Sequence, residues 1–152
     1  YDHSGSAIRA GDELNGLLRE QGKIRKQFGG FLDATGIGRG AGGRPDLYWE
    51  LINADNVAVA TLGAFYGRNA GGNVQAADTF YYASGGYYAA LTLYQMWPLD
   101  VNGHASTLIW RGDMVSSASL AELHGVEKLG SESAMMKDVA KSIARFRKGE
   151  SR

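Results

Sequence analysis

The chain contains no cysteine. Disulfide bonds, thiolate metal sites and cysteine nucleophiles are therefore excluded together. Net charge is also absent, because sixteen acidic residues balance sixteen basic ones. A nucleic-acid-binding protein usually carries a positive excess that offsets the phosphate charge. No apolar run is long enough to cross a bilayer as a helix. The composition thus predicts neither nucleic-acid binding nor a transmembrane segment in this chain.

Catalytic and metal-binding signatures are lacking as well. The sequence has no GxSxG nucleophile motif, and its three histidines, His3, His104 and His124, form no recognisable pattern with a nucleophile. Acidic residues of the last third fit neither a calcium loop nor a pair of catalytic carboxylates. We therefore predict a non-catalytic protein with no metal or cofactor.

What is present suits a single folded domain. The chain has 152 residues, of which 44% are hydrophobic, and this size and composition are typical of one ordinary globular domain. No internal repeat or separate linker interrupts it. We predict one domain over residues 1–152, with a flexible glycine-rich loop at residues 36–43.

An aromatic block between Phe80 and Trp97 holds seven of the sixteen aromatic residues. It predicts a β-hairpin that turns at Gly85-Gly86, because such two-residue turns require positive φ. This pairing sets Phe80 opposite Leu91. Alternation then predicts a core face made of Phe80, Tyr82, Tyr87, Leu91 and Leu93. The reverse face, which we predict to bind a partner, carries Thr79, Tyr81, Tyr88, Thr92 and Tyr94. A one-residue slip would exchange the two faces.

Helical patterns lie at both ends of the chain. Apolar residues spaced by three and four from Ser6 to Leu32 predict one helix, whose stripe is interrupted only at Gln21. Pro45 is typical of a first helical position and predicts a short helix through Ile52. Ser119 begins a predicted helical turn, and residues 131–148 form a predicted terminal amphipathic helix.

Strand patterns occupy the middle of the chain. They predict strands at residues 57–66, from Val74 through the hairpin to Pro98, and at residues 107–115, with a turn at Asn102-Gly103. The resulting fold class is α+β, with a mainly antiparallel sheet of about four strands packed against N- and C-terminal helices.

The glycine-rich loop supports an alternative function. Thr35, Gly36, Gly40 and Gly42 match the TGxxxGxG pattern and so resemble the phosphate-binding loop of short-chain dehydrogenases. The resemblance implies a small nucleotide-binding protein or enzyme that uses Gly36–Gly43. That chemistry needs the glycines between a buried strand and a helix. Here a helical pattern precedes them, and the Tyr-x-x-x-Lys pair of that family is missing.

Export and partner binding form the main functional prediction. The segment Leu-Ile-Trp-Arg-Gly before the final helix resembles small bacterial envelope lipoproteins. Twenty-two glycines, many tyrosines and few lysines fit an exported protein, and the start at Tyr1 suggests a removed signal peptide, with membrane anchoring through missing upstream residues. We predict a periplasmic, envelope or secreted accessory domain. It would bind a protein partner or form a homo-oligomer through the aromatic sheet face or the first helix.

Overall fold

A computed structural model describes residues 10–37, 44–54, 56–85 and 87–117, and 133, 136–137, 139–141, 143–145 and 147–149. The chain divides into two compact units, Tyr1–Ala118 and Ser119–Arg152. In the first unit the elements are α1 (Ala10–Glu20), α2 (Gly22–Thr35), β1 (Asp46–Ala54), β2 (Val57–Ala70), β3 (Asn73–Ala83), β4 (Tyr87–Val101) and β5 (His104–Ser117). The mixed α+β class is confirmed.

The strands form one antiparallel sheet in the order β1-β2-β3-β4-β5. Each strand pairs with its neighbour in sequence, because short turns join them. Gly71 and Gly72 take φ of 60° and 87°, and Asn102 and Gly103 take φ of 55° and 80°. Positive φ at both central residues is the requirement of the type I′ hairpin turn. The predicted Asn102-Gly103 turn is therefore confirmed.

Five strands replace the four that the sequence predicts, because the segment after Pro45 is β1 and not a helix. Leu47, Trp49 and Leu51 alternate with other residues, which is the period of a strand. The strand of β4 also continues past Pro98 to Val101. The pairing of β4 with β3 ends at Met96, which pairs with Val74. From Trp97 onward β4 pairs only with β5 in the described sheet, so its other side is an edge, where proline is tolerated.

The predicted first helix is two helices, which break at Gln21. Its φ of −106° and ψ of 63° lie outside the helical region, and Gly22 follows. The second helix ends at Gly36, whose φ of 67° is left-handed and whose N–H donates to the carbonyl of Leu32 at 3.0 Å. This is the usual glycine stop of a helix.

One hydrophobic core lies between the two helices and one face of the sheet, which we call the helix face. Leu14 and Leu18 of α1 and Phe28 and Phe31 of α2 meet the fully buried Leu91 and Leu93 of β4. The other members of this core are Leu32, Ile37, Ala77, Ala89 and Met114. The core residues of each helix are spaced by three or four positions or are adjacent to such a pair, and this spacing places them on one side of the helix. Burial of Leu91 and Leu93, which the sequence predicts, is confirmed.

The second unit is described only in part. Its described residues between 133 and 147 are helical, in line with the predicted terminal helix, and Met136, Val139 and Ile143 are exposed. Ser119 and the segment 118–132 lie outside the described residues. Among the residues that are described, no helix combines the length and apolar character needed to span a membrane.

The core position of Leu91 can be tested against another leucine of the same face. Replacing Leu91 with alanine should lower the free energy of unfolding by about 2–5 kcal/mol, because it empties a fully packed site. Replacing Leu47, which is 69% exposed, should change it by about 0.5 kcal/mol or less. Urea unfolding of both variants measures the difference, and equal losses would contradict the assignment of the core.

Candidate functional site

The structure separates the five predicted partner-binding residues. Thr92 and Tyr94 lie on the sheet face opposite α1 and α2. Thr79 lies on the helix face, where it is buried and its Oγ1 donates to the carbonyl of Ala90 at 2.7 Å. The prediction that all five residues share a face is therefore wrong for Thr79.

A register shift of one residue causes the error. Phe80 pairs with Ala90 and Thr79 pairs with Leu91, whereas a Gly85-Gly86 turn would pair Phe80 with Leu91. The connection begins at Ser84, whose N–H donates to the carbonyl of Ala60 at 2.8 Å and whose Oγ accepts from the Ala60 N–H at 2.9 Å. Ser84 is thus bound to β2 and does not extend the hairpin.

Tyr81 and Tyr88 occupy irregular positions of the sheet. Pairing with β2 jumps from Phe80 to Tyr82, and pairing with β5 jumps from Tyr87 to Ala89. Each skipped tyrosine is the extra residue of a β-bulge, a feature that redirects side chains at sheet edges and binding sites. Tyr81 is exposed, and the side chain of Tyr88 lies outside the described residues.

We call the sheet face opposite the helices the polar face, and its centre is a network of paired groups. Arg111 donates to both oxygens of Asp113 through Nε and Nη2 at 2.8–3.0 Å. Thr92 Oγ1 donates to the same carboxylate at 2.8 Å. The guanidinium lies 5.7 Å from the centre of the Tyr94 ring. The hydrogen bond to Asp113 raises the pKa of Arg111, and burial raises the pKa of Tyr94.

A second pair on the polar face joins distant strands. Tyr48 of β1 lies across Gly63 of β2 and donates its hydroxyl proton to Asp78 Oδ1 of β3 at 2.6 Å. A Cβ at Gly63 would overlap the Cζ and Oη atoms of Tyr48, so glycine is required for this crossing. Burial, and then the hydrogen bond to Asp78, raise the pKa of Tyr48 well above its ordinary value. Both described carboxylates at the centre of the polar face are thus occupied by neighbouring side chains.

Strand β1 carries a different kind of surface. Leu47, Trp49 and Leu51 are 69%, 76% and 64% exposed, and their i, i+2 spacing places all three on the helix face. We call them the β1 stripe. Leu62, which pairs with Trp49, is also exposed beside them. Sequence reasoning missed this surface because it assigned a helix to the segment. The alternation of the three residues was the signal that could have found it.

Nucleotide binding at the glycine-rich loop requires a strand, then the loop, then a helix. The structure has helix α2 before the loop and strand β1 after it, which is the reverse order. Gly36 ends α2, and residues 38–43 lie outside the described residues.

Metal-ligating side chains do not cluster in the described part of the chain. No group of three or more histidine, cysteine, aspartate or glutamate residues there could hold a metal ion. His104 is exposed beside the Asn102-Gly103 turn. No protein-family model matches the chain, and comparison with curated proteins and with solved structures finds no match either.

The contact between Tyr48 and Gly63 can be tested with a neighbouring glycine as the control. Gly63→Ala should expel the Tyr48 ring, break its bond to Asp78 and lower the free energy of unfolding by about 1–3 kcal/mol. Gly67→Ala should cause no loss, because its Cβ would meet only the Phe65 ring at an ordinary 3.7 Å. Urea unfolding gives both values.

A double variant separates the hydrogen bond from other effects of the Gly63 substitution. In a Tyr48→Phe background the bond is already absent, so Gly63→Ala should cost less than it does in the native chain. Additive losses would show that Gly63 acts independently of the bond to Asp78.

The raised pKa of Tyr48 predicts a dependence of stability on alkaline pH. Above pH 10.0, the ordinary pKa of tyrosine, this residue ionises in the unfolded chain while the folded chain retains its proton. Its contribution to stability is therefore complete below pH 10.0 and is lost as the pH rises. By about pH 11 we expect a loss of at most ~1 kcal/mol, reduced by solvent screening of this partly exposed group.

Urea unfolding at several pH values between neutral and alkaline measures this effect. Tyr48→Phe should remove that part of the decline, whereas Tyr81→Phe, at an exposed position, serves as the matched control. An identical alkaline decline in the native protein and in Tyr48→Phe would contradict the role of the hydroxyl group.

Proposed function

We propose that this chain is a non-catalytic accessory domain that binds a protein partner along the edge strand β1. The observation that carries the proposal is the β1 stripe, in which three large apolar side chains are each more than 60% exposed. Contiguous exposed apolar groups on a folded protein typically mark an interaction site. Tryptophan is also among the residues that contribute most to binding at protein interfaces.

The backbone of β1 supports the same proposal. In the described sheet β1 pairs with β2 on one side only, so its other side presents backbone N–H and C=O groups that an incoming strand can bond. Folded proteins usually protect such an edge with lysine, proline or a bulge. Between Leu47 and Leu51 the only charged residue is Glu50, which lies on the polar face and whose carboxylate accepts from Thr61 at 3.5 Å.

A partner strand added to β1 would use both features. Backbone pairing along the nine residues Asp46–Ala54 would supply hydrogen bonds over about 30 Å. Alternate side chains of the partner would meet the β1 stripe. This is the β-augmentation mode of peptide recognition, in which the backbone gives affinity and alternate side chains give specificity.

The polar face supports partner binding less directly. Its central carboxylates already accept hydrogen bonds from Tyr48, Thr92 and Arg111, so a partner would have to replace bonds that exist. Thr92 and Tyr94 remain a predicted contact surface on this face, and Tyr81, exposed at its bulge, remains a predicted contact residue. The β1 stripe, in contrast, would lose only contact with water.

We also propose that the domain works in the bacterial envelope or as a secreted protein. The support is compositional: twenty-two glycines, eight tyrosines and few lysines. The partner would then be another envelope or extracellular protein, or a second copy of this chain.

The proposal predicts that Trp49 is needed for partner binding. A photo-crosslinking amino acid at position 49 in the source organism should capture a partner, and the same group at Leu108, an equally apolar exposed residue of the other outer strand β5, should not. With the captured partner purified, Trp49→Ser should weaken binding at least tenfold. Leu108→Ser should bind as the native chain does.

Stability and mass measurements complete the test. Because Trp49 is exposed, its replacement by serine should change the free energy of unfolding by about 0.5 kcal/mol or less. If the captured partner is this same chain, sedimentation should show a dimer that Trp49→Ser dissociates. Capture at both positions alike, or binding unaffected by Trp49→Ser, would overturn the proposal.

A further inference from the structure

A groove of about 400 Å³ lies on the helix face between α2 and the β4–β5 hairpin. This volume is within the range of sites that hold small molecules. The described residues that line it are Lys23, Ile24, Gln27, Phe28, Gln95, Trp97 and Trp110. It is separate from the β1 stripe, which lies at the opposite edge of the sheet.

Three of the seven described residues that line the groove are aromatic. The outer edge of the Trp110 indole lies against Gly112, where a Cβ would overlap its ring, and the ring centre is 5.5 Å from that of Phe28. Trp97 lies on the same face of the adjacent strand, since it pairs with Leu108. Glycine at position 112 therefore lets the indole of Trp110 lie close to the sheet and gives the groove a broad aromatic surface.

A chain of hydrogen bonds fixes the orientation of the amides in the groove. Arg68 donates from Nε and Nη2 to Gln75 Oε1 at 3.0 and 2.7 Å. Because arginine can only donate, Gln75 must direct its oxygen to Arg68 and its Nε2 elsewhere. That Nε2 donates to Gln95 Oε1 at 3.2 Å, and Gln27 Nε2 donates to the same oxygen at 3.0 Å.

Two polar atoms of these glutamines take no part in this series of hydrogen bonds. Gln95 is only 5% exposed, and among the described residues its Nε2 donates to none. The Oε1 of Gln27 likewise accepts no hydrogen bond in the described structure. A buried donor without a partner is costly and uncommon. The groove therefore presents one amide donor and one amide acceptor, held beside two tryptophan rings.

We propose that this groove binds a neutral saccharide. A sugar hydroxyl both donates and accepts, so two neighbouring hydroxyls match the Gln95 donor and the Gln27 acceptor together. The C–H face of a sugar ring is apolar and meets the electron-rich face of an indole favourably. The polar atoms offered are uncharged amides, and Lys23, the only charged residue among the described residues that line the groove, is exposed. This combination favours a neutral ligand over an anion.

Intrinsic fluorescence gives a direct test, because two of the three tryptophans line the groove. In a Trp49→Phe background, we expect maltose, cellobiose or N,N′-diacetylchitobiose to change the emission in a saturable manner. The expected dissociation constant is on the order of 0.1–1 mM, as suits a shallow site with few polar contacts.

Three variants identify the groups responsible. Gln27→Met, at an exposed helix position that should keep the fold, removes the acceptor and should weaken binding of the same disaccharide at least tenfold. Gly112→Ala should displace Trp110 and weaken binding similarly, while the amide chain from Arg68 stays intact. Lys23→Met is the matched control, because it changes the edge of the groove and leaves both amides in place. It should alter affinity less than threefold.

Each other outcome overturns the inference. If none of the three disaccharides changes the emission, the groove is not a saccharide site. If Lys23→Met abolishes binding while Gln27→Met does not, the site recognises charge. If the apolar probe 1-anilinonaphthalene-8-sulfonate occupies the groove and no disaccharide displaces it, the aromatic wall serves an apolar ligand. None of these results bears on Trp49 and the partner strand, so the two proposals can fail separately.

Discussion

The fold depends on the burial of Leu91 and Leu93 beneath the two helices. These residues are fully buried in the middle of β4, where they contact the leucines of α1 and the phenylalanines of α2. Hydrophobic burial of side chains this large stabilises a fold by about 1.5–3 kcal/mol each. Because strand side chains alternate, the inward position of these two leucines decides the direction of every other regular residue on β4.

This one constraint organises both faces of the sheet. Further along β4, Gln95 and Trp97 lie two and four residues from Leu93, so alternation places them on the helix face, where they meet α2 at the groove. Thr92 and Tyr94 occupy the alternate positions of the strand and join Arg111 and Asp113 on the polar face. A shift of one residue would bury the hydroxyl groups and expose the leucines. The core therefore specifies the register, and the register creates the groove.

The reach of helix α1 accounts for the exposure of the β1 stripe. Helix α1 packs over strands β3, β4 and β5, which leaves β1 beyond it. Beneath the helices, Ala77, Leu91, Leu93 and Met114 of the helix face are buried, whereas Leu47, Trp49 and Leu51 on β1 remain exposed. The same side of one sheet thus serves as core at its centre and as an accessible surface at its edge. Edge strands with this character are sites where other chains add.

Much of the fold follows from local patterns. The turn at Asn102-Gly103, the start of β2 at Val57 and the helical stripe of Phe28 and Phe31 were predictable, because turn chemistry and hydrophobic period are local properties. The break at Gln21 was visible as a gap in that stripe. The helix predicted after Pro45 was wrong because proline is also common at the start of an edge strand, and the short segment shows both patterns.

The candidate sites were less predictable, since they depend on which strands are neighbours. The sequence by itself determined the α+β class, the alternation of β4 and the burial of Leu91 and Leu93, all of which rest on composition and period. Only the tertiary structure decided that Thr79 pairs with Leu91, that Arg68 orients Gln95 through Gln75, and that β1 lies at an edge. Those outcomes come from bulges at Tyr81 and Tyr88 and from the lateral order of the strands. Both are set by contacts between residues far apart in the chain.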